Sequence, residues 1–132
     1  MRLLIVEDNQ DAWISLQSYF SSHGHYAFWA SRAIEAIRFL VTEEIDVALI
    51  DVDLGPGELS GLDIVRVMIK DERLSKIPAV LMSGHTTEQI RQRAQSALVD
   101  VLHYVHPVIL GKPLELEEVE REIRSAIAHG AR

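Results

Sequence analysis

The stretch "DVALIDVDLGPG" (residues 46–57) joins a run of apolar residues to two aspartates, and then to glycine and proline. Apolar runs without polar alternation are typical of strands in a parallel sheet that is covered on both faces. Asp51 and Asp53 therefore stand where a buried strand ends. An Asp-x-Asp pair at such a place suits a metal site, an acceptor for a phosphoryl group, or a simple turn.

Similar apolar runs recur along the chain, with amphipathic segments between them. This alternation predicts a doubly wound α/β sheet with right-handed crossovers and helices on both faces. The predicted strands are "RLLIV" (2–6), "YAFWA" (26–30), "DVALI" (46–50), "PAVLM" (78–82) and "PVIL" (107–110). Five helices are predicted between and after these strands. The apolar pattern of the first is Trp13, Leu16 and Phe20, ended by Gly24; that of the second is Ala33, Ile34, Ile37, Leu40 and Val41; and that of the third is Leu62, Ile64, Val65, Met68 and Ile69. The fourth covers residues 86–102 and is opened by "TTEQ", and the fifth has a buried stripe of Leu116, Val119, Ile123 and Ile127, with its glutamates facing water.

Length, composition and net charge limit the functions that this chain can have. The 132 residues, without internal repeat or linker, predict one domain over 1–132 with no output domain in this chain. The absence of cysteine excludes thiol catalysis and thiolate zinc sites and suits a reducing compartment. The start of the chain lacks a signal-peptide pattern, and no stretch approaches the ~20 apolar residues of a membrane span. A net charge of -7 argues against nucleic acid binding. We therefore expect a cytoplasmic protein that binds neither membrane nor nucleic acid.

Informative polar residues follow four of the predicted strands. In a doubly wound sheet, ligands bind just beyond the carboxyl ends of the strands, so these residues are expected to share one edge. Neighbouring carboxylates repel one another, and Mg²⁺ relieves that repulsion while it shares its remaining positions with phosphate oxygens. A carboxylate could then attack phosphorus in line, while a lysine and a hydroxyl stabilise the transferred oxygens. The residues are Glu7 and Asp8, Asp51 and Asp53, Ser83 and Gly84, and Lys112 and Pro113.

Four segments, "LLIVEDN", "DVALIDVDL", "PAVLMSG" and "ILGKPL", resemble in order and spacing the signature segments of the response regulator receiver domain of two-component signalling. The resemblance covers nearly the whole chain. It implies a flavodoxin-like fold with a five-stranded parallel sheet in the order 2-1-3-4-5. It also implies a domain that catalyses its own phosphorylation and dephosphorylation without turning over a substrate as an enzyme.

The resemblance assigns a role to each residue of the edge. Asp51 is the implied phosphoacceptor, and Glu7, Asp8, Asp51 and the backbone carbonyl of Asp53 are the implied Mg²⁺ ligands. Ser83 is the implied hydroxyl residue of the switch, Gly84 the small residue beside it, Lys112 the lysine that binds the phosphoryl group, and Pro113 the candidate cis proline.

The implied phosphodonor is a histidine kinase or a histidine phosphotransfer protein. The implied output is a changed surface on helix four, strand five and helix five, which would bind a downstream protein or an output domain, or form a homodimer.

The sequence departs from the family at three places. Ile109 occupies the switch position that is commonly aromatic, which puts aromatic switching in doubt. The loop "LGPGELSG" is longer than usual by about two residues, so that 55–60 would fold over the site or meet a partner. Asp53 adds a third acidic side chain, which would orient or repel the attacking water.

Two other functions compete with the receiver interpretation. "IDVDLG" also looks like the first motif of haloacid dehalogenase-type phosphatases, with Asp51 as nucleophile and Asp53 as general acid and base. That motif, however, belongs on the first strand of its fold, and Asp51 ends the third. The other alternative is a receiver-like interaction module that is never phosphorylated.

The histidines do not form a metal-binding pattern. His23, His25, His103 and His106 have loose spacing and no further ligand cluster, so we expect them at the surface or at helix ends. His85 follows the predicted site and is a candidate for partner contact. The aromatic residues Trp13, Phe28 and Trp29 are expected to pack in the core and against the sheet, since a nucleotide-stacking surface would have basic neighbours.

Overall fold

The computed structural model describes residues 1–54, 59–85, 88–90 and 99–130. Five parallel strands pair in the order β2-β1-β3-β4-β5. This topology confirms the predicted doubly wound, flavodoxin-like sheet. The strands are β1 (Arg2–Val6), β2 (Tyr26–Ala30), β3 (Val47–Asp51), β4 (Ala79–Ser83) and β5 (Leu110–Gly111). The α-helices are α1 (Gln10–Ser22), α2 (Ala33–Thr42), α3 (Gly61–Lys70), α4 (Val99–Tyr104) and α5 (Leu116–His129). A 3-10 turn (Leu74–Lys76) lies between α3 and β4.

The sheet divides the interior into two apolar layers. Because successive side chains of a strand point to opposite faces, β1 sends Leu3 and Ile5 to one layer and Leu4 and Val6 to the other. The first layer is completed by α1 and α5, and the second by α2, α3 and α4. Both faces of the sheet are therefore covered, which explains why the strand sequences are apolar throughout.

The ends of the strands differ from the predicted ones in a way that matters for the site. β3 and β4 each lie one residue later than predicted and end on Asp51 and Ser83. β5 contains only Leu110 and Gly111, so the prediction of a strand over 107–110 is wrong for three of its four residues. Pro107 has no backbone N–H to pair with a neighbouring strand, and Val108 is 43% exposed.

The second helix buries only part of its predicted apolar pattern. Its buried residues are Ala33, Ala36 and Leu40, whereas Ile34 and Val41 are 58% and 56% exposed. The helix is thus rotated so that small alanines face the sheet. In α5 a similar shift buries Ala126 beside Val119 and Ile123 and leaves Ile127 38% exposed.

The polar side of α5 is not uniformly solvated. Glu120 accepts a hydrogen bond of 2.8 Å from the Tyr19 hydroxyl, and Glu122 lies 2.9 Å from Nε2 of His106. The expectation that the glutamates face water is wrong for these two. His106 is nearly buried, with 7% of its side chain exposed. His25 contacts the amino terminus through Nδ1 at 3.0 Å and is 13% exposed, so neither histidine lies at the surface, one of the two places predicted for them.

Two predicted features lie partly or wholly outside the described residues. Of the predicted fourth helix, residues 88–90 and α4 are helical, and 86–87 and 91–98 are not described. Residues 55–58, the core of the lengthened loop, are also not described. None of the helices in the described ranges is long and apolar enough to cross a membrane.

Candidate functional site

The carboxyl ends of three strands bring two acids and a lysine into contact. Nζ of Lys112 lies 2.7 Å from Oδ2 of Asp51 and 3.0 Å from both carboxylate oxygens of Glu7. Glu7 follows β1, Asp51 ends β3, and Lys112 follows β5. The acids are almost fully buried, at 1% and 2% exposure. One ammonium group therefore contacts two buried carboxyl groups, and one negative charge is left over when both are ionised.

A third acid completes a cluster of possible metal ligands. One carboxylate oxygen each from Glu7, Asp8 and Asp51 lies within 4.8 Å of the others. Asp8 is exposed, while its two partners are buried. Hard oxygen ligands at such separations fit Mg²⁺, which binds one or two carboxylates and retains water or phosphate oxygens at its other positions. The chemistry of these residues therefore fits the expected metal.

Burial and charge determine the protonation of the site. Burial, together with the neighbouring Asp51, raises the pKa of Glu7 from 4.5 to about 7, although Lys112 acts in the opposite direction. Burial alone would lower the pKa of Lys112, but its hydrogen bonds to Asp51 and Glu7 outweigh this effect, and the pKa is raised. Lys112 is therefore protonated at neutral pH, whereas Glu7 changes its charge near pH 7.

The backbone around Asp51 fixes the direction of its side chain. The N–H of Asp53 donates a 3.0 Å hydrogen bond to Oδ1 of Asp51, and Oδ2 is held by Lys112. Helix α3 begins at Gly61, next to the backbone of Asp51. A Cβ atom at Gly61 would lie 2.1 Å from the carbonyl oxygen of Asp51. Only glycine permits this close approach of α3 to the end of β3. Sequence reasoning missed Gly61, whose signal was a glycine at the start of the third helical pattern.

β4 and β5 couple the hydroxyl residue to the lysine. The carbonyl of Ser83 accepts a 2.9 Å hydrogen bond from the N–H of Lys112, which continues the pairing of the two strands. Ser83 is fully buried, and its Oγ accepts a 3.0 Å hydrogen bond from the N–H of His85. The Lys112–Pro113 peptide bond is cis, at the position of the candidate cis proline.

A cavity of about 650 Å³ opens from these residues toward α1 and the start of α5. Both charged and apolar side chains line it. Its lining includes Glu7, Asp8, Asn9, Ala12, Leu16, Asp51, Asp53, Gly84, Lys112, Leu114 and Leu116.

Residues 3–124 match the family model of the response regulator receiver domain. The chain belongs to this family. It is 35% identical over 86 residues to the response regulator SaeR of Staphylococcus epidermidis, an alignment that covers 65% of this chain and 35% of that protein. It is 27% identical over 85 residues to a putative response regulator, NtrX-like, of Rickettsia bellii, across 64% of this chain and 17% of that protein. The chain thus spans about a third or less of the curated relatives.

Solved structures give the same architecture over almost the whole chain. A response regulator receiver protein from Pseudomonas putida is 29% identical and superposes with a TM-score of 0.76, covering 94% of this chain and 95% of that one. A sensor protein from Polaromonas, at 20% identity, superposes with a TM-score of 0.81 over 97% and 96% of the two chains, which shows the shared fold. This is a receiver domain of a two-component system.

The receiver domain places His85 against the second aspartate of "IDVDLG". Nε2 of His85 lies 3.2 Å from Oδ2 of Asp53, and the two side chains are 45% and 38% exposed. The Asp53 carboxylate thus contacts His85, and the Asp53 main-chain N–H contacts Asp51. Sequence reasoning placed His85 next to the site but missed this contact, which depends on the path of two separate loops.

Two tryptophans lie beside the acidic turn of the receiver domain. The indole N–H of Trp29 donates a 2.7 Å hydrogen bond to the carbonyl of Glu7, and the ring stacks on that of Trp13 with centroids 5.5 Å apart. The prediction that Trp13 packs in the core and against the sheet is confirmed, but the hydrogen bond of Trp29 was missed. Its only signal was an indole at the carboxyl end of the strand that neighbours β1.

Ile109 is half-buried and packs against the apolar layer beneath α2, α3 and α4. An aliphatic side chain therefore occupies the predicted switch position.

Proposed function

We propose that this receiver domain accepts a phosphoryl group on Asp51 from a histidine kinase or a histidine phosphotransfer protein, with Mg²⁺ as cofactor. The observation that carries the proposal is the contact of a buried Asp51 carboxylate with Lys112 beside the acids Glu7 and Asp8. In this arrangement the nucleophile, its counter-ion and a cation site share one opening. The proposal includes a single receiver domain over 1–132 that acts in the cytoplasm.

The proposed chemistry gives each side chain of the site a role. An Asp51 oxygen attacks phosphorus in line, an O–P bond forms and the N–P bond of the phosphohistidine breaks. The leaving imidazole nitrogen keeps the bonding pair and takes up a proton. Mg²⁺, when bound by Glu7, Asp8, Asp51 and the Asp53 carbonyl, screens the charge of the incoming anion. Lys112 and the Ser83 hydroxyl stabilise the transferred oxygens, and Gly84 leaves room beside them.

The output is proposed to pass through the strand that carries Lys112. Because Ser83 and Lys112 are paired across β4 and β5, movement of Ser83 toward the phosphoryl group would be transmitted to β5 and to the neighbouring α4 and α5. Ile109 makes this transmission independent of an aromatic rotor. The altered face would bind a downstream protein or an output domain, or a second copy of the chain.

Membership of the receiver family favours this function over a phosphatase of the haloacid dehalogenase type. Asp51 ends β3 rather than β1, and Glu7 and Asp8 supply the acids that the phosphatase would draw from a later segment. The complete set of acids, lysine and buried serine likewise favours a phosphorylated domain over an interaction module. In the proposed function the domain modifies itself and does not turn over a substrate.

Intact-mass measurement after incubation with acetyl phosphate and Mg²⁺ tests the proposal. We expect one phosphoryl adduct on the parent protein, and none for Asp51→Asn or when EDTA replaces Mg²⁺. Asp100→Asn removes an exposed acid of α4 and serves as the matched control that still forms the adduct. Absence of the adduct from the parent under all conditions would refute the proposal.

A second assay distinguishes the receiver from the phosphatase. Steady release of phosphate from small phosphomonoesters, lost in Asp53→Asn, would favour the phosphatase. A single turnover that stops at the Asp51 adduct supports the receiver.

A further inference from the structure

The main chain of Glu7 is held at both of its polar groups by the end of β2. Its N–H donates a 3.0 Å hydrogen bond to the carbonyl of Ala30, and its carbonyl accepts the 2.7 Å hydrogen bond from the indole of Trp29. The first contact continues the pairing of β1 and β2. The second is made by a side chain, so it depends on the residue at position 29.

The Trp29 indole is itself held in place. Trp29 pairs in register with Ile5 and lies on the face of the sheet that α1 covers. Trp13 of α1 stacks on it with an interplanar angle of 6°. Asn9 caps the same helix, since its Oδ1 accepts a 2.9 Å hydrogen bond from the N–H of Ala12. The tryptophan pair thus connects both ends of the acidic turn, residues 7–9, to the body of the domain.

We propose that Trp29 is a positioning residue for the Mg²⁺ ligands, acting through the Glu7 carbonyl, with Trp13 holding its ring. The inference rests on the Mg²⁺ binding of the proposed function and deepens it. A ligand whose main chain is already fixed loses less conformational freedom when the ion binds. Loss of a group that orients metal ligands typically weakens metal binding roughly 10–100-fold. Because Trp29 acts on the backbone and not on the carboxylate, we expect the lower end, about tenfold.

A purely structural role for Trp29 makes a different prediction. In that case the ring fills space between β2 and α1, and its N–H merely satisfies a carbonyl. Removal of the N–H would then lower thermal stability without changing the affinity for Mg²⁺. The two roles are distinguished by a metal-binding measurement combined with a variant that keeps the aromatic ring.

The first experiment observes the indole group in the unaltered protein. The chain has two tryptophans, so a ¹⁵N-labelled sample gives two indole N–H resonances, assigned with Trp13→Phe and Trp29→Phe. On titration with Mg²⁺, we expect the Trp29 resonance to move along the same binding curve as the amide of Glu7, and the Trp13 resonance to move much less. A Trp29 resonance that stays in place while the Glu7 amide shifts would overturn the inference.

The second experiment removes the N–H and keeps a ring. Calorimetric titration of Trp29→Phe with Mg²⁺ should show about tenfold weaker binding than the parent, and Trp13→Phe, which keeps an aromatic surface against Trp29, a change within about twofold. Equal affinities for the parent and Trp29→Phe would overturn the inference. Should Trp29→Phe fail to fold, the resonance experiment decides alone.

The adduct assay separates failure of this inference from failure of the proposed function. At saturating Mg²⁺, Trp29→Phe should still form the Asp51 adduct, and only the Mg²⁺ concentration required should rise. An adduct on the parent together with equal Mg²⁺ affinities refutes the role of Trp29 alone. Absence of both the adduct and Mg²⁺ binding in the parent refutes the proposed function, and the role of Trp29 with it.

Discussion

Nζ of Lys112 lies 2.7 Å from Oδ2 of Asp51, closer than it lies to either oxygen of Glu7. The side chain of Lys112 is 29% exposed, whereas that of Asp51 is 3% exposed. The lysine therefore reaches from the cavity into the buried site, where it holds two mutually repelling acids together. In the proposed function the same ammonium would contact the phosphoryl group on Asp51.

Replacement of Lys112 by methionine tests the balance of charge in the site. Without the ammonium, two adjacent buried carboxyl groups lose their counter-ion, and we expect a loss of about 3 kcal/mol or less in the free energy of unfolding at pH 8. At pH 5.5 the loss should be smaller, because Glu7 is then protonated. Urea denaturation in EDTA measures both values.

Lys70→Met, at the exposed end of α3, is the matched control and should change stability by less than about 0.5 kcal/mol. Equal losses for Lys112→Met at the two pH values would show that Glu7 does not change its charge between them.

Gly61→Ala should displace Asp51. The new Cβ would lie 2.1 Å from the Asp51 carbonyl oxygen and 2.8 Å from Cγ2 of Ile50, so α3 must move away from β3. We expect a cost of about 3 kcal/mol in stability and weaker Mg²⁺ binding, because the moved backbone carries Asp51, a proposed Mg²⁺ ligand. Thermal melting and calorimetry measure the two effects.

Gly111→Ala is the control for that substitution, since a Cβ there meets no atom within 4 Å. It should leave the melting temperature almost unchanged. Wild-type stability in Gly61→Ala would show that α3 does not lie this close to Asp51 in solution.

Much of the fold and the site is predictable from the sequence because apolar runs fix where buried strands end. Asp51 and Lys112 stand at the carboxyl ends of two such runs, and parallel strands bring those ends to one edge of the sheet. The periodicity of apolar residues does not determine how a helix is rotated about its axis. In α2, Ala33 and Ile34 are both apolar, but only the smaller residue, Ala33, is buried.

Contacts between residues that are far apart along the chain could not be predicted from the sequence either. The hydrogen bond from Trp29 to Glu7 depends on how an indole is oriented between an edge strand and a turn. The pairing of His106 with Glu122 joins residues 16 apart, and only packing of the loop before β5 onto α5 brings them together. Such contacts arise from tertiary structure, and composition and spacing carry no direct signal for them.

Tyr104→Phe should loosen α4, an element of the proposed output face. The buried hydroxyl of Tyr104 donates hydrogen bonds to the carbonyls of Ile77 and Leu74. These hydrogen bonds join α4 to the segment before β4. Removing it leaves these carbonyls without that donor and should cost about 1–2 kcal/mol in urea denaturation. Tyr26→Phe, at a ring that is 58% exposed, should cost almost nothing. A cost no larger for Tyr104→Phe would contradict the assigned role of the hydroxyl.

Glu7 should make the stability of the metal-free protein fall as pH rises. Its pKa is raised to about 7 in the folded protein from 4.5, so between these values the folded state binds more protons than the unfolded state. The stabilisation is complete below pH 4.5 and is lost as pH rises through 7, with a total of at most about 3 kcal/mol from this group. Mg²⁺ requires the ionised carboxylate, so its stabilising effect should be larger at pH 8 than at pH 6.

Glu7→Gln keeps the shape of the side chain and removes its titration, so it isolates this contribution. Urea denaturation in EDTA from pH 4.5 to 8 should show a shallower decline for Glu7→Gln than for the parent. Addition of Mg²⁺ at pH 8 should stabilise the parent and have little effect on the variant. Parallel pH curves for the two proteins would mean that Glu7 is already ionised throughout this range, and that Lys112 compensates its burial in full.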